Sequence, residues 1–258
     1  MRRGVLLAVL TLVLGSVVAG EGGDRGGTSA DVVARYASRS PRAWGERLPG
    51  VRTRLDTGDR VLALTLDACG GAYDKELLQF LVREQIPATL FLAGRWVDAH
   101  PREAAELAAN PLFEIANHGD QHRPASVTGR KAYGLRGTRN ARELVEEIGE
   151  SDRKLRALGV RAPRYYRSGT NFYDDVALAL AADLGYEVVG YTVAGDAGAT
   201  LSRNKVRDAL LGSRPGDIVL CHMNHPRSDT AEGLTEALPL LVQKGFRFVH
   251  LSAYPLRD

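Results

Sequence analysis

Short apolar runs alternate with amphipathic stretches along most of this chain. The apolar runs cover residues 61–66, 88–92, 113–116, 164–167, 187–193, 217–221 and 246–251. Each has the length of a buried strand. Between them the spacing changes to that of a helix. Residues 74–85 place Leu77, Leu78, Leu81 and Val82 on one face, and residues 139–158 do the same with Leu144, Ile148, Leu155 and Leu158. Residues 174–184, 202–211 and 230–243 follow this pattern, and 101–109 predicts a shorter helix. Such alternation predicts a parallel sheet with helices outside it. About seven parallel strands at this spacing predict an α/β fold, a distorted, incomplete (β/α) barrel. An open doubly wound sheet is the alternative.

Before residue 58 the pattern differs. Arg2 and Arg3 precede an apolar run over residues 5–18, followed by small Ala19 and Gly20. Residues 1–19 thus read as a signal peptide cleaved after Ala19, which predicts export to the periplasm or outside the cell. The apolar run is short for a membrane span, so no integral span is expected after cleavage. Residues 20–57 hold Gly, Ser, Arg and Pro with little period and read as a linker and extension, with Trp44 as an anchor. Residues 58–258 then form the main domain.

Length and charge narrow the partners. A chain of 258 residues suits one large domain. It has 34 basic and 31 acidic residues; without Arg2 and Arg3 the balance is 32 to 31, or +1. Nothing in this balance calls for a nucleic-acid partner. Two cysteines, Cys69 and Cys221, exclude a disulfide framework, and two free, buried thiols are expected over a single bridge.

In barrels of this kind, reactive groups gather at the C-terminal ends of strands. The first run ends at Asp67, the third leads to His118 and His122, and the fourth ends at Arg167. The fifth leads to Asp196 and the sixth to His222. A spacing of four predicts both imidazoles of His118 and His122 on one face of a helical turn, suited to a divalent metal, zinc first. No Glu follows His118, so this is not the zinc-protease helix.

The segments LTLDACGG, EIANHGDQH, YYRSG and IVLCH stand in an order and spacing that resemble the motifs of polysaccharide deacetylases, also called carbohydrate esterase family four, with the NodB-type domain. The resemblance runs from about residue 61 to the C-terminus. It implies a distorted (β/α) barrel and metal-assisted removal of acetyl groups from N-acetylated sugars. By position, Asp67 matches the general base, His118 and His122 the metal-binding histidines, and Arg167 the arginine that tethers the base. His222 matches the general acid, and Asp196 is a looser match to the aspartate supporting it. Leu220 would line the acetyl pocket. Together with the signal peptide, the resemblance implies an N-acetylated glycan of the cell envelope or the extracellular space as substrate. The alternatives are an amidase or esterase of the same fold acting on a small substrate, and a non-catalytic glycan-binding protein.

Two positions depart from that pattern. Where the family has a second aspartate as a metal ligand, this chain has Ala68. Asp74, Asp120, Asn171, Cys69 or water would have to complete the shell, or Asp67 itself ligates and another group acts as base. After Arg167 stands Ser168-Gly169-Thr170-Asn171, where the family has Pro and an aromatic. Three softer expectations remain. A basic loop with Arg123, Arg130, Lys131, Arg136 and Arg139 would attract an anionic glycan. Trp96 and Tyr173 are candidates for sugar stacking, against a role in the core. Asn224 and His225, just after the sixth run, are candidate substrate contacts.

Overall fold

The computed structural model describes residues 29–258. The signal-peptide reading therefore lies outside the described residues. Eight short parallel strands form the central sheet: β1 (Val61–Ala68), β2 (Ala88–Leu92), β3 (Phe113–Asn117), β4 (Tyr165–Tyr166), β5 (Glu187–Val188), β6 (Val193–Ala194), β7 (Ile218–His222) and β8 (Arg247–Phe248). The spatial order is β5-β4-β3-β2-β1-β7-β6, with β8 also paired to β1. All seven predicted runs supply strands, and the sheet curls into a half-barrel.

The run predicted over 187–193 splits into β5 and β6, which pair with β4 and β7 at opposite ends of the sheet. The cause lies at Val189 and Gly190. Their carbonyls accept from Arg167 Nε at 3.0 Å and Nη2 at 2.9 Å, so they face a side chain instead of a neighbouring strand.

Strand parity separates two interiors. Leu62, Leu64, Leu66 and Ala68 of β1 point to the layer between sheet and helices. Val61 and Ala63 point into the barrel with Phe91, Ala116, Tyr165 and Ile218. Thr65 and Asp67 share that inward face. On β7 the same rule sends Val219 and Cys221 outward and Ile218, Leu220 and His222 inward. Asp67 and His222 are direct partners across the β1–β7 ladder.

Eight helices surround the described sheet: α1 (Ser29–Tyr36), α2 (Lys75–Arg83), α3 (Gly94–Ala99), α4 (Pro101–Ala109), α5 (Ala141–Ala157), α6 (Asp175–Asp183), α7 (Arg203–Leu211) and α8 (Thr230–Gln243). Side-chain caps start three of them: Asp74 for α2, Asn140 for α5 and Asp174 for α6. Leu77, Leu78 and Leu81 are buried as predicted, but Val82 is exposed. It lies at the edge of the apolar stripe.

The segment before β1 packs onto the fold. Val32, Tyr36, Val51 and Leu55 are buried. Trp44–Gly45 pairs antiparallel with Tyr173–Asp174, and the Trp44 ring lies 5.5 Å from that of Phe172. Among the described residues, no helix is long and apolar enough to cross a membrane.

Candidate active site

A cavity of about 620 Å³ opens at the C-terminal end of the strands. Asp67, Cys69, His122, Leu220 and His222 line it. Its size falls within the roughly 300–1,000 Å³ common for small-ligand pockets.

Asp67 is held by Arg167. Arg167 Nη1 donates to Asp67 Oδ1 at 2.7 Å and to Thr65 Oγ1 at 3.0 Å. The guanidinium is fully buried, lies over the Phe91 ring at 4.1 Å, and spends its remaining donors on the Val189 and Gly190 carbonyls. Burial disfavours an ionised Asp67. The charge of Arg167, with His118 and His222 behind it, outweighs that effect and holds the carboxyl below its usual range.

His118 and His122 come together on a loop, not on the expected helical turn. No helix covers residues 118–122, and both Gly119 (φ 73°) and His122 (φ 60°) adopt left-handed backbone. The loop wraps the buried carboxylate of Glu147, whose Oε1 accepts from the backbone of Gln121 at 2.9 Å and of Arg123 at 3.1 Å. A Cβ at position 119 would stand 2.6 Å from that oxygen, which explains the glycine. Gly169 is needed for a similar reason, since a Cβ there would stand 2.2 Å from the His122 carbonyl carbon. The two imidazole centroids lie 4.9 Å apart.

The tautomer of His118 follows from its partner. Nδ1 lies 2.9 Å from the Arg167 carbonyl, which can only accept, so Nδ1 carries the proton. Nε2 is then the nitrogen left for a cation; burial favours the neutral ring, but the Asp67 charge and Cys69 outweigh it and raise His118. Nε2 lies 3.6 Å from Cys69 Sγ and 3.4 Å from Asp67 Oδ2.

Cys69 completes the cluster. Its Sγ and the ring nitrogens of His118 and His122 lie within 4.8 Å of one another. Zinc–sulfur bonds of about 2.3 Å and zinc–nitrogen bonds of about 2.05 Å at tetrahedral angles give a sulfur–nitrogen edge of roughly 3.6 Å. The Cys69–His118 separation matches it. His122 is buried with both ring nitrogens unpartnered, an arrangement that a cation would satisfy. Burial disfavours the Cys69 thiolate, but His122, His118 and His222 more than offset it and lower the thiol strongly. These three residues therefore fit a divalent metal.

The other proposed third ligands are engaged elsewhere. Asp74 caps α2 by accepting from Leu77 N at 3.0 Å. Asp120 takes Lys154 Nζ at 2.6 Å. Asn171 Oδ1 accepts from the Tyr173 hydroxyl at 3.2 Å. Ala68 is buried in the helix-facing core. The expectation of two buried, packing thiols holds for Cys221 alone, because Cys69 faces the cavity.

His222 is oriented by Asp196. Asp196 Oδ1 accepts from His222 Nδ1 at 2.9 Å, and Oδ2 accepts from His222 N at 2.7 Å and from the Thr230 hydroxyl at 3.1 Å. With Nδ1 so engaged, Nε2 is the free nitrogen on the cavity side. Burial alone would favour neutral imidazole, but the Asp196 hydrogen bond and charge, with Cys69, keep His222 protonated well above its ordinary range.

Some sequence candidates sit elsewhere. Asn224 does not line the cavity; it is buried and donates to the Gly70 carbonyl at 2.5 Å, tying down the loop after β1. His225 is exposed, with its ring centroid 6.3 Å from that of His222, and is also outside the lining. Trp96 and Tyr173 are buried core residues; Trp96 Nε1 donates to the Ala72 carbonyl at 2.9 Å. Conversely, Glu46, Tyr133 and Tyr191 line the cavity without belonging to any motif, and Thr170, in the departing third motif, lines it too.

The comparison that decides the family is a profile match. The polysaccharide deacetylase profile matches residues 54–189, more than half the chain. The chain belongs to the polysaccharide deacetylase family. As a member it is a hydrolase of the deacetylase class. A chitooligosaccharide deacetylase from Sinorhizobium fredii is 27% identical over 207 residues, covering 75% of this chain and 91% of its relative. Among solved structures, a peptidoglycan N-acetylglucosamine deacetylase superposes with a TM-score of 0.69 at 22% identity, covering 80% of this chain and 92% of the other. A carbohydrate esterase family four pseudoenzyme from Bacillus anthracis gives 0.65 at 22% identity, covering 81% and 69%. Both structures share the half-barrel fold. The profile match contains Asp67, His118, His122 and Arg167 and ends before Asp196 and His222.

Proposed function

We propose that this polysaccharide deacetylase is a metal-dependent hydrolase that removes acetyl groups from N-acetylated sugars of a cell-envelope or extracellular polysaccharide. The observation that carries this reading is a pair of held groups side by side, Asp67 on Arg167 and His222 on Asp196, lining one cavity with Cys69 and His122, while His118 Nε2 lies 3.6 Å from Cys69 Sγ.

Each group has a defined task. A divalent metal bound by Cys69, His118 and His122 would polarise the acetyl carbonyl and make water easier to deprotonate. Asp67, ionised and fixed by Arg167, accepts the proton as water oxygen attacks the carbonyl carbon. Protonated His222 donates from Nε2 to the amide nitrogen as the carbon–nitrogen bond breaks and its electron pair moves to nitrogen. Acetate and a free amine result. Leu220, beside His222 on the inward face of β7, offers an apolar wall to the acetyl methyl.

The basic and apolar start of the chain supports export to the periplasm or outside. Residues 58–258 would carry the catalytic groups, and the extension before them supplies part of the wall through Glu46. Ala68 in place of a carboxylate favours the second reading, a non-catalytic glycan-binding protein; Cys69 argues against it. Acetate release from N-acetylated glycans, after metal removal and again after restoring zinc or cobalt, tests the proposal. Release that depends on metal and is lost in His118→Ala supports it. No release with any metal, alongside intact glycan binding, replaces it with the second reading.

A further inference from the structure

One carboxylate at the cavity has no part in that chemistry. Glu46 lies next to the Trp44–Gly45 strand of the N-terminal segment and lines the cavity. Its Oε1 accepts from the Tyr133 hydroxyl at 2.7 Å and its Oε2 from the Tyr191 hydroxyl at 3.1 Å. Three distant parts of the chain therefore meet at one charge.

Tyr133 is placed there at a cost. It sits at φ 49°, beside Gly134 at φ 78°, in the turn joining Lys131–Ala132 to Leu135–Arg136. Asn or Gly is usual at such a position, and a bulky residue is rare. Burial does not repay the strain, because Tyr133 is 75% exposed. What it gains is the Glu46 bond and an edge contact with Phe172, with ring centroids 5.5 Å apart. Strain of this kind gathers at ligand-binding positions.

Among the described residues, Glu46 forms no ion pair with the basic loop. Arg123 and Arg139 both bind Glu143, and Arg130 lies over the Trp44 ring at 5.2 Å. Arg167 is buried behind Asp67, and Arg95 donates to the Cys69 carbonyl. Among the described residues, no lysine or arginine lines the cavity. The expected attraction of an anionic glycan by that loop thus finds no counterpart in the cavity wall.

We propose that Glu46, held by Tyr133 and Tyr191, sets the substrate class of this site: uncharged N-acetylhexosamine chains are accepted, and chains with a carboxylate beside the reacting sugar are refused. This rests on the deacetylase reading. The carboxylate oxygens of Glu46 accept from sugar hydroxyls, the exposed face of Tyr133 offers a platform for a sugar ring, and a second carboxylate beside Glu46 meets like charge with no lysine or arginine in the wall to offset it.

The test is calorimetric binding of two tetrasaccharides to the metal-loaded full chain and to Glu46→Gln. One is built only of N-acetylglucosamine; the other alternates it with N-acetylmuramic acid, which carries a carboxylate. The wild-type protein is expected to bind the uncharged chain about tenfold or more tightly than the charged one. Glu46→Gln, which keeps an acceptor for one tyrosine and offers an N–H to the other, is expected to close most of that gap by gaining affinity for the charged chain. Acetate release is followed in parallel. Equal binding of both chains by the wild type, or an unchanged ratio in Glu46→Gln, overturns the role of Glu46; if acetate is still released, the deacetylase reading stands. If neither chain releases acetate, that reading fails, and the binding ratio still decides for or against Glu46.

Discussion

At the scale of single residues, the site is governed by which partner holds which charge. Replacing Asp196 by Asn removes the anion facing His222. The protonated ring, raised by that anion, is then lost at lower pH. The alkaline limb of the kcat profile should move down by at least about one pH unit, with the acid limb unchanged. A limb that stays in place would deny His222 the role of acid. Cys69→Ser removes the soft donor of the cluster. Cobalt bound to the wild type should show a near-ultraviolet thiolate-to-metal band, and Cys69→Ser should lose it, with affinity falling at least about tenfold. A band that survives would place the sulfur outside the shell. Much of this was legible in the chain, since Asp67, His118, Arg167 and His222 stand at the ends of apolar strands and His122 follows four residues after His118. Cys69 was one choice among several, because sequence does not show that Asp74, Asp120 and Asn171 are engaged elsewhere.

At the scale of elements, strands were the most readable and loops the least. Runs such as residues 88–92 are buried on both faces and admit one interpretation. The histidine loop was misread as a helical turn, because a spacing of four between ligands is equally served by a loop with glycine at position 119. What shapes that loop is Glu147, a helix residue far along the chain that no motif marks. Glu147→Ala leaves two backbone N–H groups without their acceptor, and should cost about 1–3 kcal/mol and loosen His122. Glu147→Gln keeps an acceptor and should fall near wild type. Chemical denaturation and metal affinity measured on both variants check this; equal losses would mean that the carboxylate's charge, not its acceptor, is what counts.

For the whole molecule, the segment before β1 belongs to the fold and to the cavity alike. The partners of Glu46 stand 87 and 145 residues away in sequence, a distance over which patterning carries no information. A chain starting at residue 58 would lose the burial of Val32, Tyr36, Val51 and Leu55. At about 1.5–3 kcal/mol each, this is on the order of 6 kcal/mol or more, comparable to the stability of a typical domain. Such a chain should show no cooperative thermal transition. A sharp melt near that of the full chain would make the segment a mere appendage.

The Arg167 knot has a consequence for how this protein could drift. Arg167 bonds the carbonyls that split the fifth run, while its charge is balanced by Asp67. Losing Asp67 strands a buried cation and costs about 3–5 kcal/mol. The aspartate is therefore retained by the fold whether or not the reaction is still under selection. His122 has no such second employment, since it makes no hydrogen bond through either ring nitrogen. In a lineage abandoning the proposed chemistry, His122 would go first, and Asp67 would outlast it.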